Sequence, residues 1–417
     1  MEPTAILWII LGLITFNFVF DQVVDLLNRK AMKDELPDAL REFYEEEKYR
    51  KSVQYHRTKD QFSVFSSSFS FILSILVIGF GLLGYLDSWL RPLIQTDLLL
   101  SLSFFGILYL ASDLLTIPFQ LYNNFVIEEK FGFNKMTLKI FFTDKLKGYL
   151  IAAVLGSLII GALIYLIQSI GANFWLWFWG IISLFILMGN MFYTSLIVPL
   201  FNKLSPLEEG DLKSAIKNYC SQVNFPLENI YVIDGSKRST KANAFFSGIG
   251  KKKKVVFYDT LIEKHSTEEL VAVFAHEVGH YKKKHIISSY ILSILQTGLM
   301  LWIMSLMIFN ENLSLALGGK QTAIHLNLVA FALLYSPISM ISGLFMNQIS
   351  RKNEYEADAF ATQTYKGSAL QLALKKLSVE NLSNLLPHPL YVFIHYSHPT
   401  LLQRLAAIDQ ENRKNKE

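Results

Sequence analysis

Apolar residues in this chain are gathered into long runs separated by polar stretches. About twenty consecutive, mainly apolar residues are needed to cross a bilayer core as a helix. Seven runs meet that length, at roughly 4–22, 66–87, 97–119, 148–169, 174–200, 286–309 and 323–347. The first is not a secretory leader, because Met1-Glu2-Pro3 carries no Lys or Arg and the run passes into Phe18-Val19-Phe20-Asp21 with no small-residue cleavage site. It is expected to stay as an uncleaved span. Asp113 lies well inside the third run. An acid at that depth must face a bundle interior or a wet cavity, and a structural partner is the simplest reason for it.

The basic residues between the runs alternate. Taken from the N-terminus, the eight non-membrane segments hold 0, 9, 1, 5, 0, 14, 1 and 9 Lys plus Arg, so alternate segments carry 37 and 2. By the positive-inside rule the rich side is cytoplasmic, which puts the N-terminus outside and the C-terminus inside. The two largest inserts then share one face. This organises the chain as 1–200 with five spans, an insert at 201–285, the sixth and seventh spans at 286–347, and a C-terminal part at 348–417.

Composition agrees with a membrane protein: of 417 residues 52% are hydrophobic and 18% charged. The net charge of +4 gives no reason to expect a nucleic-acid partner. A single cysteine, Cys220, excludes internal disulfides and thiolate metal sites. Any metal must be held by His and carboxylates.

Such residues stand at the end of the first insert, in Ala275-His276-Glu277-Val278-Gly279-His280. On a helix, His276 and His280 share a face and can present two imidazoles to one metal, with Glu277 beside them to take a proton from the attacking water. Ser266 before Thr267-Glu268-Glu269 reads as the N-cap of that helix. A third ligand is needed. Lys283 and Ile286 stand where one common pattern would place Gly and His, and His285, five residues past His280, is expected off the shared face at the membrane edge. The candidates that remain are Glu354 and Asp358, four apart after the seventh run, one to bind metal and the other to orient a ligating histidine. Val255 to Tyr258 reads as a strand, paired in a hairpin with Lys237–Phe246 through a turn at Gly248 and Gly250. An exposed strand edge of this kind can bind an extended peptide. The Lys251–Lys254 run reads as a solvated turn.

Several blocks resemble one family in the same order: Phe131-Gly132-Phe133-Asn134-Lys135 with Phe142-Thr143-Asp144, Val198-Pro199-Leu200-Phe201-Asn202-Lys203, Asp234 to Ser239, Asn243-Ala244-Phe245, Glu354 to Asp358, and Tyr396-Ser397-His398-Pro399. The family is the integral-membrane zinc metalloproteases of the type I CaaX prenyl endopeptidase group, the a-factor-converting enzymes and their bacterial relatives, and the likeness runs from about residue 60 to 408. The resemblance implies a mainly α fold with seven spans enclosing a chamber, and a cytoplasm-facing zincin-like domain with a small hairpin or sheet. It implies one Zn2+ per chain held by His276, His280 and Glu354, with Glu277 as base and proton shuttle. Asp358 would stand behind a ligating histidine, His398 would stabilise the oxyanion, Arg404 would brace the site, and Asn243 and Ala244 would lie on the substrate-binding edge. Thr400 departs from the family's usual second proline.

The implied activity is peptide-bond hydrolysis that removes the C-terminal tripeptide of prenylated proteins. A quality-control membrane endopeptidase is the alternative. The partners expected are a peptide or protein substrate, prenylated or not, and the bilayer. A site-2-type intramembrane protease is disfavoured because Lys282, Lys283 and Lys284 place the motif at the membrane edge. The compact length points to a bacterial plasma membrane ahead of the ER.

Overall fold

The computed structural model describes residues 1–36, 41, 44–226, 229–247 and 254–414. The N-terminal half is helical: α1 (Pro3–Ala31), α2 (Glu46–Gly79), α3 (Leu82–Leu90), α4 (Asp97–Tyr122), α5 (Leu138–Ile151), α6 (Ser157–Ile170), α7 (Phe174–Phe192) and the short α8 (Val198–Phe201). A small sheet follows, with β1 (Leu204–Pro206), β2 (Asn229–Ile233), β3 (Ala244–Ser247) and β4 (Lys254–Tyr258), together with α9 (Asp211–Gln222) and α10 (Asp259–Lys264). The remainder comprises α11 (Thr267–Lys282), α12 (His285–Met307), α13 (Glu311–Ala316), α14 (Ile324–Leu334), α15 (Ser336–Thr364), α16 (Gly367–Glu380), α17 (Pro389–His395) and α18 (Leu401–Lys414).

Among the described residues, five helical stretches are long and apolar enough to cross a membrane, and a sixth is counted if α14 and α15, bent by 52°, act as one. The apolar runs number seven. Part of the difference lies in Leu138–Phe201, a single helical stretch of 64 residues. At 1.5 Å per residue it is about three times the length of a bilayer core. Gly171, at φ 67, reverses the chain between α6 and α7, and Leu163 and Ile167 pack with Phe174 and Phe178. The run at 66–87 is also not one helix: α2 ends at Gly79 and α3 begins at Leu82. Only 6–17% of the residues in each apolar stretch are fully buried within the chain.

Asp113 on α4 has a structural partner, as expected. Lys145 on α5 donates to both its carboxylate oxygens, at 2.7 and 2.8 Å, and Tyr149 donates to it as well.

The sheet order is β1-β2-β4-β3. β3 and β4 pair antiparallel with Phe245 opposite Val256, the hairpin read from the sequence, while its turn at Gly248 and Gly250 and residues Lys251–Lys253 lie outside the described residues. The parallel pairing of β2 with β4 was not expected. β3 is an edge strand. Val255 and Phe257 of β4 join Leu270, Val271, Phe274, Ala275 and Val278 of α11 in one core, which also takes in Ile216 of α9 and Leu370 of α16. This fixes the motif helix against the sheet. Arg238 ties the sheet to the membrane helices, donating to Asp144 at 2.9 and 3.0 Å and to the Phe201 carbonyl at 2.8 Å.

Candidate metal centre

The site begins with how α11 starts. The Ser266 hydroxyl accepts from the Glu269 amide and the Glu269 carboxylate accepts from the Ser266 amide, a reciprocal cap. The capped helix buries its apolar face in the sheet core and turns His276, Glu277 and His280 toward a cleft of about 720 Å³. α15 crosses over it at Gly279, where an added Cβ would stand 3.0 Å from the Ala357 Cα. Any side chain at 279 would have to push the α15 backbone back by a few tenths of an ångström. The crossing brings Glu354 and Asp358 down onto the histidines.

His276 Nε2 and His280 Nε2 lie 3.1 Å apart. Glu354 approaches them at 3.5 Å and 3.3 Å respectively. All three offer ligand atoms within 4.8 Å of one another. Glu354 Oε2 is buried with no hydrogen-bond partner. Two imidazole nitrogens facing each other beside an orphaned carboxylate oxygen form an arrangement that calls for a shared cation, and the set fits one divalent metal.

Behind His276, Asp358 faces Nδ1 at 2.8 Å. Arg404 of α18 donates to Asp358 twice, at 2.8 and 2.6 Å. Thr400 and Gln403 exchange hydrogen bonds at the start of that helix, so the threonine is an N-cap in place of the family's proline. His398, 63% exposed, stands at the cleft with Nε2 3.4 Å from Glu354 Oε1. Asn243 and Ala244, at the start of β3, line the same cleft, as do Phe245 and Phe246. All nine residues singled out from the sequence are thus within one constellation: eight line the cleft, and Asp358 stands behind His276.

The electrostatics reflect this crowding. Burial works against a charged His276, but the Asp358 and Glu354 carboxylates beside it outweigh that and raise the imidazole to about 9. Burial likewise works against an ionised Glu354, yet the close approach of His276 and His280 holds its carboxyl far below the usual range. Asp358 is opposed by burial and lowered by the Arg404 guanidinium. Glu277 is raised by burial, the direction that suits a group meant to take up and return a proton.

His285 makes a contact that helical spacing did not foresee. It opens the apolar stretch His285–Met307 and is only 6% exposed, with Nδ1 3.0 Å from His280 Nδ1 and Nε2 3.1 Å from Glu356. The reason is Lys284, at φ 61, whose left-handed backbone ends α11 and folds the start of α12 back over it. Helical spacing cannot extend across such a break.

Residues 25–203 match the profile described as CAAX prenyl protease N-terminal, five membrane helices, and residues 206–412 match peptidase family M48. The chain belongs to family M48. It is 34% identical over 414 residues to the CAAX prenyl protease 1 homolog of Arabidopsis thaliana, covering 97% of this chain and 98% of that one. It is 34% identical to CAAX prenyl protease 1 of Saccharomyces cerevisiae, over 93% and 91% of the two chains. The crystal structure of S. mikatae Ste24p superposes with a TM-score of 0.92 at 32% identity, covering 97% and 99%. The protein is therefore an integral-membrane metalloendopeptidase of the CAAX protease type.

Proposed function

We propose that the metal is zinc, that His276, His280 and Glu354 hold it, and that the enzyme trims the C-termini of prenylated proteins. The observation that carries the metal reading is the Glu354 carboxylate set against both Nε2 atoms, Oε2 toward His276 and Oε1 toward His280, with Oε2 buried and without a hydrogen-bond partner. Two imidazoles and one carboxylate are a donor set of catalytic zinc sites. When bound, zinc supplies the Lewis acidity that polarises a scissile carbonyl and acidifies water near neutral pH. Glu277 accepts the proton of the attacking water and returns it to the leaving amine, which its raised pKa favours. His398, 63% exposed at the mouth of the cleft, donates to the developing oxyanion. Asp358 and Arg404 hold His276 in the orientation that points Nε2 inward. An extended substrate adds to the free edge of β3 from Asn243 and Ala244 onward.

A second hollow of about 740 Å³ opens beside the cleft, walled by Phe185, Met188, Phe192 and Leu196 and sharing Phe245, Phe246 and Ile286 with it. An apolar groove touching the peptide site supports a lipid-modified substrate over a plain one.

The seven apolar runs and the reversal at Gly171 support seven spans around a chamber, with the N-terminus outside and both ligand-bearing segments on the cytoplasmic side. Purified full-length protein is expected to hold one zinc and to cut a farnesylated C-terminal peptide in preference to its unmodified counterpart. Equal cutting of both would replace this reading with a quality-control endopeptidase, and absence of zinc would refute the metal assignment.

A further inference from the structure

Resting on that metal reading, we infer that His285 and Glu356 are positioning residues for the ligand His280, forming a chain Glu356–His285–His280 that fixes which nitrogen of His280 faces the metal. The cleft shows two supports of different kinds. Asp358 and Arg404 stand behind His276. His280 has neither a carboxylate nor an arginine behind it; its Nδ1 faces His285 Nδ1 at 3.0 Å.

Two ring nitrogens at that distance share one proton. His280 keeps the lone pair on Nε2, which lies 3.1 Å from His276 Nε2 and 3.3 Å from Glu354, so its proton sits on Nδ1 and is donated to His285. His285 Nδ1 must then accept. The His285 proton is left on Nε2, where Glu356 Oε2 accepts it at 3.1 Å. Each hydrogen bond in the chain allows only one tautomer of the next ring. Glu356 is the anchor: without an acceptor there, His285 is free to carry its proton on Nδ1, where it opposes the N–H of His280. The ring is sterically held as well, since His285 is 6% exposed and locked at the start of α12 by the turn at Lys284. Partners of this kind, one bond removed from the metal, are worth about 10–100-fold in metal affinity.

The test is zinc affinity of the full-length protein in detergent, measured by competition with a chromophoric chelator, a readout independent of turnover. His285→Leu is expected to bind zinc about 10–100-fold more weakly. His285→Asn, whose Oδ1 stands where Nδ1 stood and can accept from His280, should recover most of the loss. A residue that merely fills space is better replaced by Leu than by Asn, so the reverse order overturns the inference. His280→Ala serves as the ligand control. If it loses zinc while His285→Leu binds as tightly as wild type, the positioning role fails and the metal reading stands; if wild type binds no zinc, both fail. Should His285→Leu not fold, Glu356 decides, its side chain being 39% exposed. Glu356→Leu should weaken zinc binding and Glu356→Gln, which keeps an acceptor, should weaken it less; equal, undiminished affinities overturn the inference.

Discussion

Arg404 clasps Asp358 through two hydrogen bonds, at 2.6 and 2.8 Å, and the same carboxylate reaches His276 Nδ1 at 2.8 Å. Asp358 is 1% exposed, so its charge depends on that guanidinium. Arg404→Ala leaves the carboxylate buried and half-paired, and removing one partner of a buried pair typically destabilises by about 3–5 kcal/mol. A lowered melting temperature with zinc present checks this. Arg404→Lys, a point charge without the fork, is expected to recover only part of it.

Glu277→Gln keeps the shape of the cleft and removes the proton acceptor. Zinc content and melting temperature should stay at wild-type values, while peptide cleavage falls by about 10²–10⁴-fold. Cleavage near the wild-type rate in zinc-loaded protein would remove Glu277 from the mechanism.

The metal-free protein should have an inverted pH response relative to the loaded one. His276 is raised to about 9, so its contribution to stability is complete below its unfolded value of about 6.5 and is lost as pH rises through 9. Glu354 and Asp358 are lowered, so theirs is complete above about 4 and lost in acid. Metal-free protein is therefore expected to melt highest between about pH 4.5 and 6.5. Metal replaces the proton on His276, so the loaded form gains stability as pH rises from 6 to 8 and zinc uptake releases protons. Calorimetry in buffers of different ionisation enthalpy counts them.

Gly279 sets the spacing between α11 and α15. Gly279→Leu should force the helices apart at Ala357 and separate Glu354 from the histidines. Zinc affinity is expected to fall further than melting temperature of the metal-free form, because the ligand geometry is lost while the sheet core, built from the opposite face of α11, remains.

The capping box is a smaller, purely local lever. Ser266→Ala removes one accepted bond at the start of α11 and should cost about 1 kcal/mol. A modest fall in melting temperature with unchanged zinc affinity is the expected pattern.

What could be read in advance was whatever repeats at helical spacing. His276 and His280, and Glu354 and Asp358, are each four apart on one helix, so their shared faces were visible before any fold was known. Their meeting across two apolar helices followed from the chain returning to its starting side. The contact of His285 with His280 was hidden because one left-handed residue, Lys284, ends the helical register between them. The parallel β2–β4 pairing was hidden for a related reason: partners such as Tyr231 and Val256 are joined through an intervening strand and turn, and no local pattern records that. The double role of Thr400 and Gln403 as a cap was masked by comparison with a proline at the same place.

His276 and His280 lie on α11 and the proposed third donor, Glu354, on α15, and between these helices run α12 to α14. Neither half holds the full set. Glu354 follows His280 by 74 residues, so the three-residue set closes only once α15 is made. His398 and Arg404 come later still, and on the proposed mechanism a chain cut short before α18 holds the donors without the groups that brace and complete the site.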